Sequence, residues 1–330
     1  MKTILLLQKS KLAQLYIIAI LLLVSLAACN LWRHVQNPST FAPPADVHIV
    51  KHAMGTTAVP QHPQRFVSLH AYATEAAIAL GVKLIGTTKK LAPQLKLDDI
   101  VDIGLPPNIE KVLALKPDLL IGNMGAGGTE PESYRLWSDI APTVFFDMRA
   151  IADWKRPFLV VAEALGKTEQ AKQVVAQYNA RIAQFKARMG DKLKQTRVSV
   201  VDLYAGTIIV RIQKSFSGSI LKEVGLDIPQ TQKLSPTIIT KLSGNTALYS
   251  ISPEFLSLID GDVLFLMTSS FPTKADSELA IQQFMAQPLW SKLKVAQQGK
   301  VHVIGPHWGG GNYLSANRVL DDLFKYLLSQ

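Results

Sequence analysis

Asn108–Gly122 reads Asn-Ile-Glu-Lys-Val-Leu-Ala-Leu-Lys-Pro-Asp-Leu-Leu-Ile-Gly, and its pattern recurs without a gap at Ser252–Leu266, Ser-Pro-Glu-Phe-Leu-Ser-Leu-Ile-Asp-Gly-Asp-Val-Leu-Phe-Leu. Each copy predicts a short helix, a tight break and a buried strand. Asn108 and Ser252 suit the N-cap, and a glutamate two residues later lies near the positive end of the helix dipole. A proline or a glycine ends each helix, and the apolar run that follows is typical of a strand covered on both faces. Two copies of one unit indicate two similar lobes.

The front of the chain has the pattern of an export signal. Three lysines precede the apolar run Leu15–Leu26, which ends in Leu-Ala-Ala-Cys. A positive flank, a short apolar core and small residues before a cleavage point are typical of such signals. The last four residues resemble the lipobox of bacterial lipoproteins, which predicts removal of residues 1–28 and lipidation of Cys29. An ordinary signal or anchor helix with an incidental cysteine is the alternative.

Composition bounds the kind of protein and its partners. The chain has 330 residues, of which 48% are hydrophobic and 18% charged, so it can bury the cores of two lobes. The formal net charge of +10 falls by three when the signal is removed, and an exported basic protein favours an anionic small ligand or an acidic membrane surface over nucleic acid. The single cysteine cannot form an internal disulfide. His48, His52 and His62 are predicted to be solvated loop residues, and no metal site is expected.

Strand and helix patterns alternate along the rest of the chain, which predicts mainly parallel sheets. The predicted strands are Val47–Lys51, Arg65–Leu69, Lys83–Gly86, Thr143–Asp147, Arg197–Leu203, Thr207–Ile212 and Lys300–Ile304. The strands Arg197–Leu203 and Thr207–Ile212 are predicted to form a hairpin around Ala205-Gly206. The predicted helices are Thr74–Leu80, Trp154–Leu165, Thr168–Met189, Ser217–Val224, Ala280–Ala286 and Ser315–Leu328. The helix over Thr168–Met189 contains neither glycine nor proline, so it would make a stiff connection about 33 Å long. Residues 30–61, apart from the first strand, are expected to be a tether.

Ligands of parallel sheets bind beyond the carboxyl ends of the strands. That principle selects the loops 70–73, 104–106, 123–128 and 148–153 as the rim of a site. Aromatic and basic side chains at predicted loop and strand ends suit a flat, anionic ligand, because rings bury organic surface and guanidinium groups bind oxyanions. The predicted ligand site consists of seven such residues: His70, Tyr72, Arg149, Tyr204, Arg211, Trp308 and Tyr313. Trp154 is of the same kind and also lies at a predicted loop end, but it is not included in the predicted site.

Two members of this set have alternative interpretations. Arg211 follows an apolar strand sequence and is expected to expose its guanidinium, but it could form an inter-strand salt bridge instead. Trp308 precedes three glycines and is either a wall of the site or a packing residue. No nucleophile motif, nucleotide-binding loop or cluster of metal ligands completes a catalytic site, so we predict that the protein is not an enzyme.

The segments together resemble the periplasmic binding lipoproteins of iron–siderophore ABC importers, a family with cobalamin- and haem-binding relatives. The resemblance runs from about Val47 to Leu328. It includes Arg-Phe-Val-Ser-Leu, Thr-Glu-Ala-Ala-Ile-Ala-Leu-Gly, the stretch quoted first, Ser-Phe-Ser-Gly-Ser-Ile-Leu-Lys-Glu-Val-Gly-Leu, Pro-Leu-Trp and Gly-Lys-Val-His-Val-Ile. It implies an α/β fold with two Rossmann-like lobes joined by one long rigid helix, as in class III periplasmic binding proteins.

The resemblance also implies domain boundaries: a signal at 1–28, a tether at 29–45, an N-terminal lobe at 46–167, a connecting helix at 168–190 and a C-terminal lobe at 191–330. The ligand would be a ferric siderophore held between the lobes. Glu110 and Glu254 match the docking contacts for the permease, and Arg211 matches the ligand-binding arginine. Relatives tend to have further arginines on the preceding strand, where this chain has Asp202 and Tyr204.

The partners implied are the permease and ATPase of an iron–siderophore importer, for a monomer that is held to the membrane by lipid and faces the periplasm or the cell exterior. Cobalamin or haem is the alternative ligand within this class. A membrane-anchored hydrolase and a surface scaffold are alternatives from other classes. The glutamates could also be simple helix caps worth about 0.3–1 kcal/mol each.

Overall fold

The computed structural model describes residues 46–91, 95–125, 131–148, 153–204, 206–244, 247–268 and 273–328. Within these limits, His48–Gln330 form one compact unit. The predicted signal, Cys29, the tether 29–45 and Arg149 lie outside the described residues. The lobe boundaries given above stay a prediction.

The first half of the chain builds a parallel sheet after a small hairpin. β1 and β2 pair with each other, and β3 to β7 form a five-stranded sheet in the order β5-β4-β3-β6-β7. All four pairings of this sheet are parallel, as the sequence predicts. The strands are β1 Val47–His52, β2 Gly55–Pro60, β3 Phe66–Ser68, β4 Gly86–Thr87, β5 Val101–Asp102, β6 Leu119–Met124 and β7 Thr143–Asp147.

The second half builds a mixed five-stranded sheet in the order β10-β9-β8-β11-β12. The predicted hairpin is confirmed, because β8 and β9 pair antiparallel on either side of Gly206. The pairings of β11 with β8 and β12 are parallel. These strands are β8 Val198–Tyr204, β9 Thr207–Arg211, β10 Leu248–Ile251, β11 Val263–Thr268 and β12 Val301–Ile304.

Helices connect the strands. The α-helices are α1 Ala71–Ala79, α2 Ile109–Ala114, α3 Pro131–Ser138, α4 Lys155–Ala164, α5 Thr168–Met189, α6 Lys192–Gln195, α7 Phe216–Glu223, α8 Pro236–Ser243, α9 Lys274–Met285, α10 Lys294–Gln297 and α11 Tyr313–Leu328. Short 3₁₀ helices lie at Lys89–Leu91, Gln230–Gln232, Pro253–Ile259, Trp290–Lys292 and Pro306–Gly309. None of the helices in the described part of the chain is long and apolar enough to span a bilayer.

The long helix α5 has the bounds that the sequence predicts. Its buried stripe includes Tyr178, Ile182 and Phe185, which recur at the spacing of one helical face. These residues belong to a core cluster that takes members from both halves of the chain, from Val50 to Leu323. Two smaller clusters fill the other face of each sheet. A stiff helix packed into a shared core favours one rigid frame for both sheets.

The repeated stretch has the same role in both halves, and its aspartate is the key residue. The Asp118 carboxylate accepts hydrogen bonds from the backbone N–H groups of Gln64 and Arg65, at 2.7 and 2.9 Å, just before β3. The Asp262 carboxylate accepts from the backbone N–H of Arg197 at 2.7 Å, just before β8. Asp118 precedes β6 and fixes the start of the neighbouring strand β3, and Asp262 precedes β11 and fixes the start of the neighbouring strand β8. The recurrence of this aspartate in both copies of the stretch is the sequence signal for the role.

The two helices of the repeat differ from each other. Asn108 caps α2 as predicted, since its side chain accepts from the Lys111 N–H at 2.9 Å. Ser252 makes no such bond, and the segment after it is a 3₁₀ helix with a non-helical residue at Phe255. Ser252 is therefore at the N-cap position, as predicted, but its side chain does not cap the helix, and Glu254 lies in the first turn.

The predicted tether was also too long. Gly55–Pro60 forms strand β2, and His52 holds this hairpin to the sheet by accepting from the backbone N–H of Phe145 at 3.3 Å. His52 is half-buried, and desolvation lowers its pKa. The Nε2 of His48 lies 2.7 Å from the carbonyl oxygen of Glu163. Of the three histidines, only His62 is exposed as predicted.

Candidate functional site

A cavity of about 420 Å³ lies between the two halves, and we call it the central cleft. Its walls come from loops that follow β3, β4, β7 and β12, at the carboxyl ends of strands, which is where ligands of α/β sheets bind. Two other cavities, of about 440 and 490 Å³, are each lined by one half only. Residues of both halves line the central cleft: His70, Ala71, Tyr72, Glu75, Lys90, Met148, Pro306, His307, Gly309, Gly310, Gly311, Asn312 and Ser315.

His70 lies at the cleft wall and caps helix α1. Its Nδ1 accepts a hydrogen bond from the backbone N–H of Tyr72 at 3.2 Å. This role requires an unprotonated Nδ1, and burial lowers the pKa of His70 from 6.5 to about 4. The cap therefore presents a neutral ring to the cleft at neutral pH, rather than the positive charge that a basic residue would supply.

The capping role predicts a pH dependence of stability. The unfolded chain protonates His70 near pH 6.5, whereas the folded chain resists protonation until about pH 4. The unfolded state therefore binds more protons in this window, and the free energy of unfolding falls as the pH drops from about 6.5 to about 4. The variant His70→Asn keeps a capping oxygen but removes this titration. Over the same pH range, we therefore expect its free energy of unfolding to fall by about 2–3 kcal/mol less than that of the wild-type chain.

Urea denaturation of both proteins at a series of pH values checks this. Other histidines with lowered pKa, His52 and His302, remain in both proteins and cancel in the comparison. Parallel pH profiles for the two proteins would contradict a titrating His70 cap.

Tyr72 lines the cleft from a buried position. Its hydroxyl donates to the carbonyl oxygen of Trp154 at 2.7 Å, and its ring lies beside Gly311. The Trp154 indole N–H in turn donates to the Ser219 hydroxyl at 2.9 Å. Because Trp154 precedes α4 and Ser219 lies in α7, this bond links the first half to the second.

Tyr313 belongs to the same aromatic cluster and is only 3% exposed. Its ring centroid lies 5.0 Å from that of Trp154 and 4.8 Å from that of Phe158. Tilted ring pairs at this distance add roughly 0.5–1.5 kcal/mol each to area burial. The prediction of Tyr313 as a ligand contact is not supported by this position, because its ring packs inside the cluster that joins the two halves.

Trp308 is the packing residue that its alternative interpretation describes. Its side chain is fully buried, its ring lies 4.5 Å from Phe265, and its indole N–H donates to Asp322 at 2.8 Å. The cleft wall here is the glycine backbone that follows Trp308. The Trp308 ring was predicted to contact the ligand, but in this fold it has no exposed surface with which to do so.

Arg211 does not expose a free guanidinium. Its Nη2 lies 2.6 Å from the Asp202 carboxylate, and the two side chains are 15% and 1% exposed. The inter-strand salt bridge, given above as the alternative, is the arrangement present. The guanidinium lies behind the cleft wall, since a Cβ on Gly309 would be 3.4 Å from Nη2. Tyr204, at the end of the same strand as Asp202, is 49% exposed.

Glu75 is a cleft residue that sequence reasoning missed. The residue is 6% exposed, and its carboxylate accepts hydrogen bonds from the Asn312 amide and, at 2.9 Å, from the Ser315 hydroxyl. Glu75 lies in α1, whereas its partners lie at the start of α11, so these bonds also link the two halves. The available signal was a carboxylate within the otherwise mostly apolar helix Ala71–Ala79.

Glu110 and Glu254 lie outside the cleft, on exposed surface. Each follows the carboxyl end of an edge strand, since β5 and β10 are the outermost strands of their sheets. Exposed apolar side chains accompany them: Ile109 and Leu113 flank Glu110, and Phe255, 58% exposed, follows Glu254. Among the described residues, no three His, Cys, Asp or Glu side chains come together as a ligand set for a metal ion.

This architecture matches a known family over most of its length. The profile of the family described as "Periplasmic binding protein" matches residues 67–307. The chain belongs to the periplasmic binding protein family. Members of this family are substrate-binding proteins, and the match includes both sheets and most of the central cleft.

Individual relatives agree with the family match. The "Probable siderophore-binding lipoprotein YfiY" of Bacillus subtilis is 31% identical over 97% of this chain and 99% of its own length. The "Achromobactin-binding periplasmic protein" of Dickeya dadantii is 27% identical over 79% of this chain and 85% of its own. Staphylococcus aureus SirA, solved in complex with staphyloferrin B, is 26% identical with a TM-score of 0.68, covering 85% of this chain and 98% of that one.

A further solved structure supports the fold alone. The petrobactin-binding protein YclQ of Bacillus subtilis is 22% identical, with a TM-score of 0.67 over 86% of this chain and 99% of that one. The predicted α/β fold of class III periplasmic binding proteins is therefore confirmed.

Proposed function

We propose that this protein captures a ferric siderophore in the central cleft and delivers it to the permease of an ABC importer. The observation that carries this is the cleft itself, which is built by both halves at the carboxyl ends of their strands. The likeness to a probable siderophore-binding lipoprotein and to a structure that holds staphyloferrin B supports the same ligand class.

The cleft residues act by binding rather than by catalysis. The neutral ring of His70 and the edge of Tyr72 offer apolar surface to the organic part of the ligand, and Lys90 offers a cation. The segment Gly309–Gly311 brings backbone close to the ligand, because it carries no side chains. The siderophore itself coordinates the ferric ion, so the iron is cargo of the complex.

Small movements are expected on binding. The helix α5, the aromatic cluster around Trp154 and the bonds of Glu75 all join the two halves of the chain. Wide hinge closure would have to break these contacts together. We therefore infer that the ligand enters a largely preformed cleft with local adjustment of its rim.

Glu110 and Glu254 are the proposed docking contacts for the permease. Both follow carboxyl ends of edge strands, which is the end of each sheet where the cleft lies. A permease that contacts both glutamates would therefore cover the cleft mouth. We further propose lipidation at Cys29 and an extracytoplasmic, membrane-held monomer, in line with the relatives named as lipoproteins.

Intrinsic tryptophan fluorescence tests the ligand. Trp308 precedes the glycine wall and Trp154 bonds to Tyr72, so a ferric complex in the cleft should quench both. We expect saturable quenching of the full chain, in detergent micelles, by at least one ferric hydroxamate, citrate-type or catecholate siderophore. Saturation only by cobalamin or haem would change the ligand class, and no response to any of these probes would overturn the proposal.

A cleft-filling variant makes this test specific. A Cβ on Gly311 would lie 3.5 Å from Tyr72, which is ordinary contact, so the backbone tolerates a side chain there. Gly311→Phe places a ring in the cleft and should abolish the quenching. Gln298→Phe adds the same ring at an exposed position before β12, at the opposite end of that strand from the cleft loop, and should leave quenching unchanged.

A further inference from the structure

The ion pair of Arg211 with Asp202 lies between neighbouring strands behind the cleft wall. In the register of β8 and β9, Arg211 faces Val200, which places Asp202 diagonally across from it on the same face of the sheet. The Nη2-to-carboxylate distance of 2.6 Å and the 1% exposure of Asp202 describe a tight, desolvated pair. The pair has no net charge, whereas an Arg211 guanidinium without Asp202 would place one positive charge at this position.

The location of the pair gives it influence over the ligand. Gly309 lines the cleft, and a Cβ at that position would lie 3.4 Å from the Arg211 Nη2. Arg211 Nε is buried and has no hydrogen-bond partner among the described residues. One thin layer of glycine backbone therefore separates the guanidinium from the cleft, and electrostatic interactions act strongly across a layer with little water.

The other charged groups of the described cleft do not restore a positive potential. Lys90 is accompanied by the Glu75 carboxylate, and His307 lies 2.8 Å from Asp322. His70 holds its cap as a neutral ring. The described lining is therefore close to balanced in charge, even though the chain as a whole is basic.

We propose that Asp202 is a specificity-determining residue, which cancels the charge of Arg211 and makes the cleft select ferric siderophores of low net charge. Three hydroxamates balance the charge of the ferric ion, whereas three catecholates leave a strongly anionic complex. The neutral ferric trihydroxamate is therefore the favoured class, and the ferric triscatecholate is disfavoured by the Asp202 carboxylate. This inference rests on the proposed function.

The variant Asp202→Asn tests the inference. Asparagine has nearly the same shape and keeps an oxygen that can accept from the Arg211 guanidinium, but it leaves the charge of Arg211 uncancelled. Affinities of the full chain for a ferric trihydroxamate and a ferric triscatecholate are measured by fluorescence quenching. We expect the wild-type chain to bind the trihydroxamate more tightly. In the variant, triscatecholate affinity should rise about tenfold, while trihydroxamate affinity changes by less than about threefold.

The control is Asp139→Asn, which changes the total charge equally at an exposed position and should leave both affinities unchanged. If wild type binds a ferric siderophore but Asp202→Asn leaves the ratio of affinities unaltered, the inference fails and the proposed function stands. If wild type binds none of the probes, the proposed function fails and the inference fails with it. Should the variant not fold, as judged by circular dichroism, the wild-type chain decides: tighter binding of the triscatecholate overturns the inference.

Discussion

Replacing Arg211 with alanine lowers the free energy of unfolding by about 3–5 kcal/mol, the range for breaking a buried ion pair. The reason is the difference in burial between the partners. Asp202 is 1% exposed, so removing the guanidinium takes a charged partner from a carboxylate that is buried in the folded chain. Arg211 is 15% exposed and has a long, flexible side chain, so Asp202→Asn should cost clearly less.

Urea denaturation of the full chain, followed by circular dichroism, measures both changes. Lys172→Ala removes a salt bridge whose partners are 73% and 74% exposed, and it should change stability by no more than about 1 kcal/mol. The double variant Arg211→Met with Asp202→Leu replaces the pair by apolar groups and should be more stable than Arg211→Ala alone. A cost for Arg211→Ala no larger than that of Lys172→Ala would show that water solvates the pair.

Reversing the charge of both proposed docking glutamates should abolish uptake of the ferric siderophore by cells. Glu110→Lys with Glu254→Lys places two cations where the permease is proposed to contribute arginines, so attraction becomes repulsion on both sides of the cleft mouth. Both side chains are exposed and lie outside the cleft lining, so siderophore affinity and the free energy of unfolding should stay nearly unchanged. Cell uptake of labelled ferric siderophore and fluorescence quenching separate the two effects.

The matched control addresses the helix-cap alternative. Glu132 and Glu169 also lie in the first turns of helices, α3 and α5, and both are exposed. Reversing their charges removes the same favourable interaction with the helix dipole, about 0.3–1 kcal/mol per site. Uptake should survive in this control. Uptake that also survives in Glu110→Lys with Glu254→Lys would leave these residues as helix caps only.

The elements that sequence analysis predicted best depend on local pattern. The long helix Thr168–Met189, the strand Thr143–Asp147 and the β8–β9 hairpin are decided by helical spacing, an apolar run and a turn, respectively. The duplicated stretch predicted two similar halves, and its two aspartates do set equivalent neighbouring strands. Strand β2 was missed because its polar residues gave no apolar run, and its stability comes from pairing with β1.

The candidate site was predicted only in part. His70 and Tyr72, which the carboxyl-end loops selected, line the central cleft, since strand direction decides where loops emerge. Their contact with a ligand stays a prediction. Residue type alone predicted that Trp308 and Tyr313 would be more exposed than they are in the structure. An aromatic ring near a loop serves equally well inside a core, and only the packing of Phe265 and Trp154 around these rings shows that they are buried.

From the sequence it follows that this is an α/β binding protein with two related halves, because hydrophobic periodicity and turn residues act over short distances that the chain order preserves. Tertiary structure alone decided which charged side chains pair with which partners. The partner of Arg211 is nine residues away on an adjacent strand, and the partners of Glu75 lie in α11 at the far end of the chain. Such pairings depend on the register of strands and the packing of helices, and they leave no local pattern.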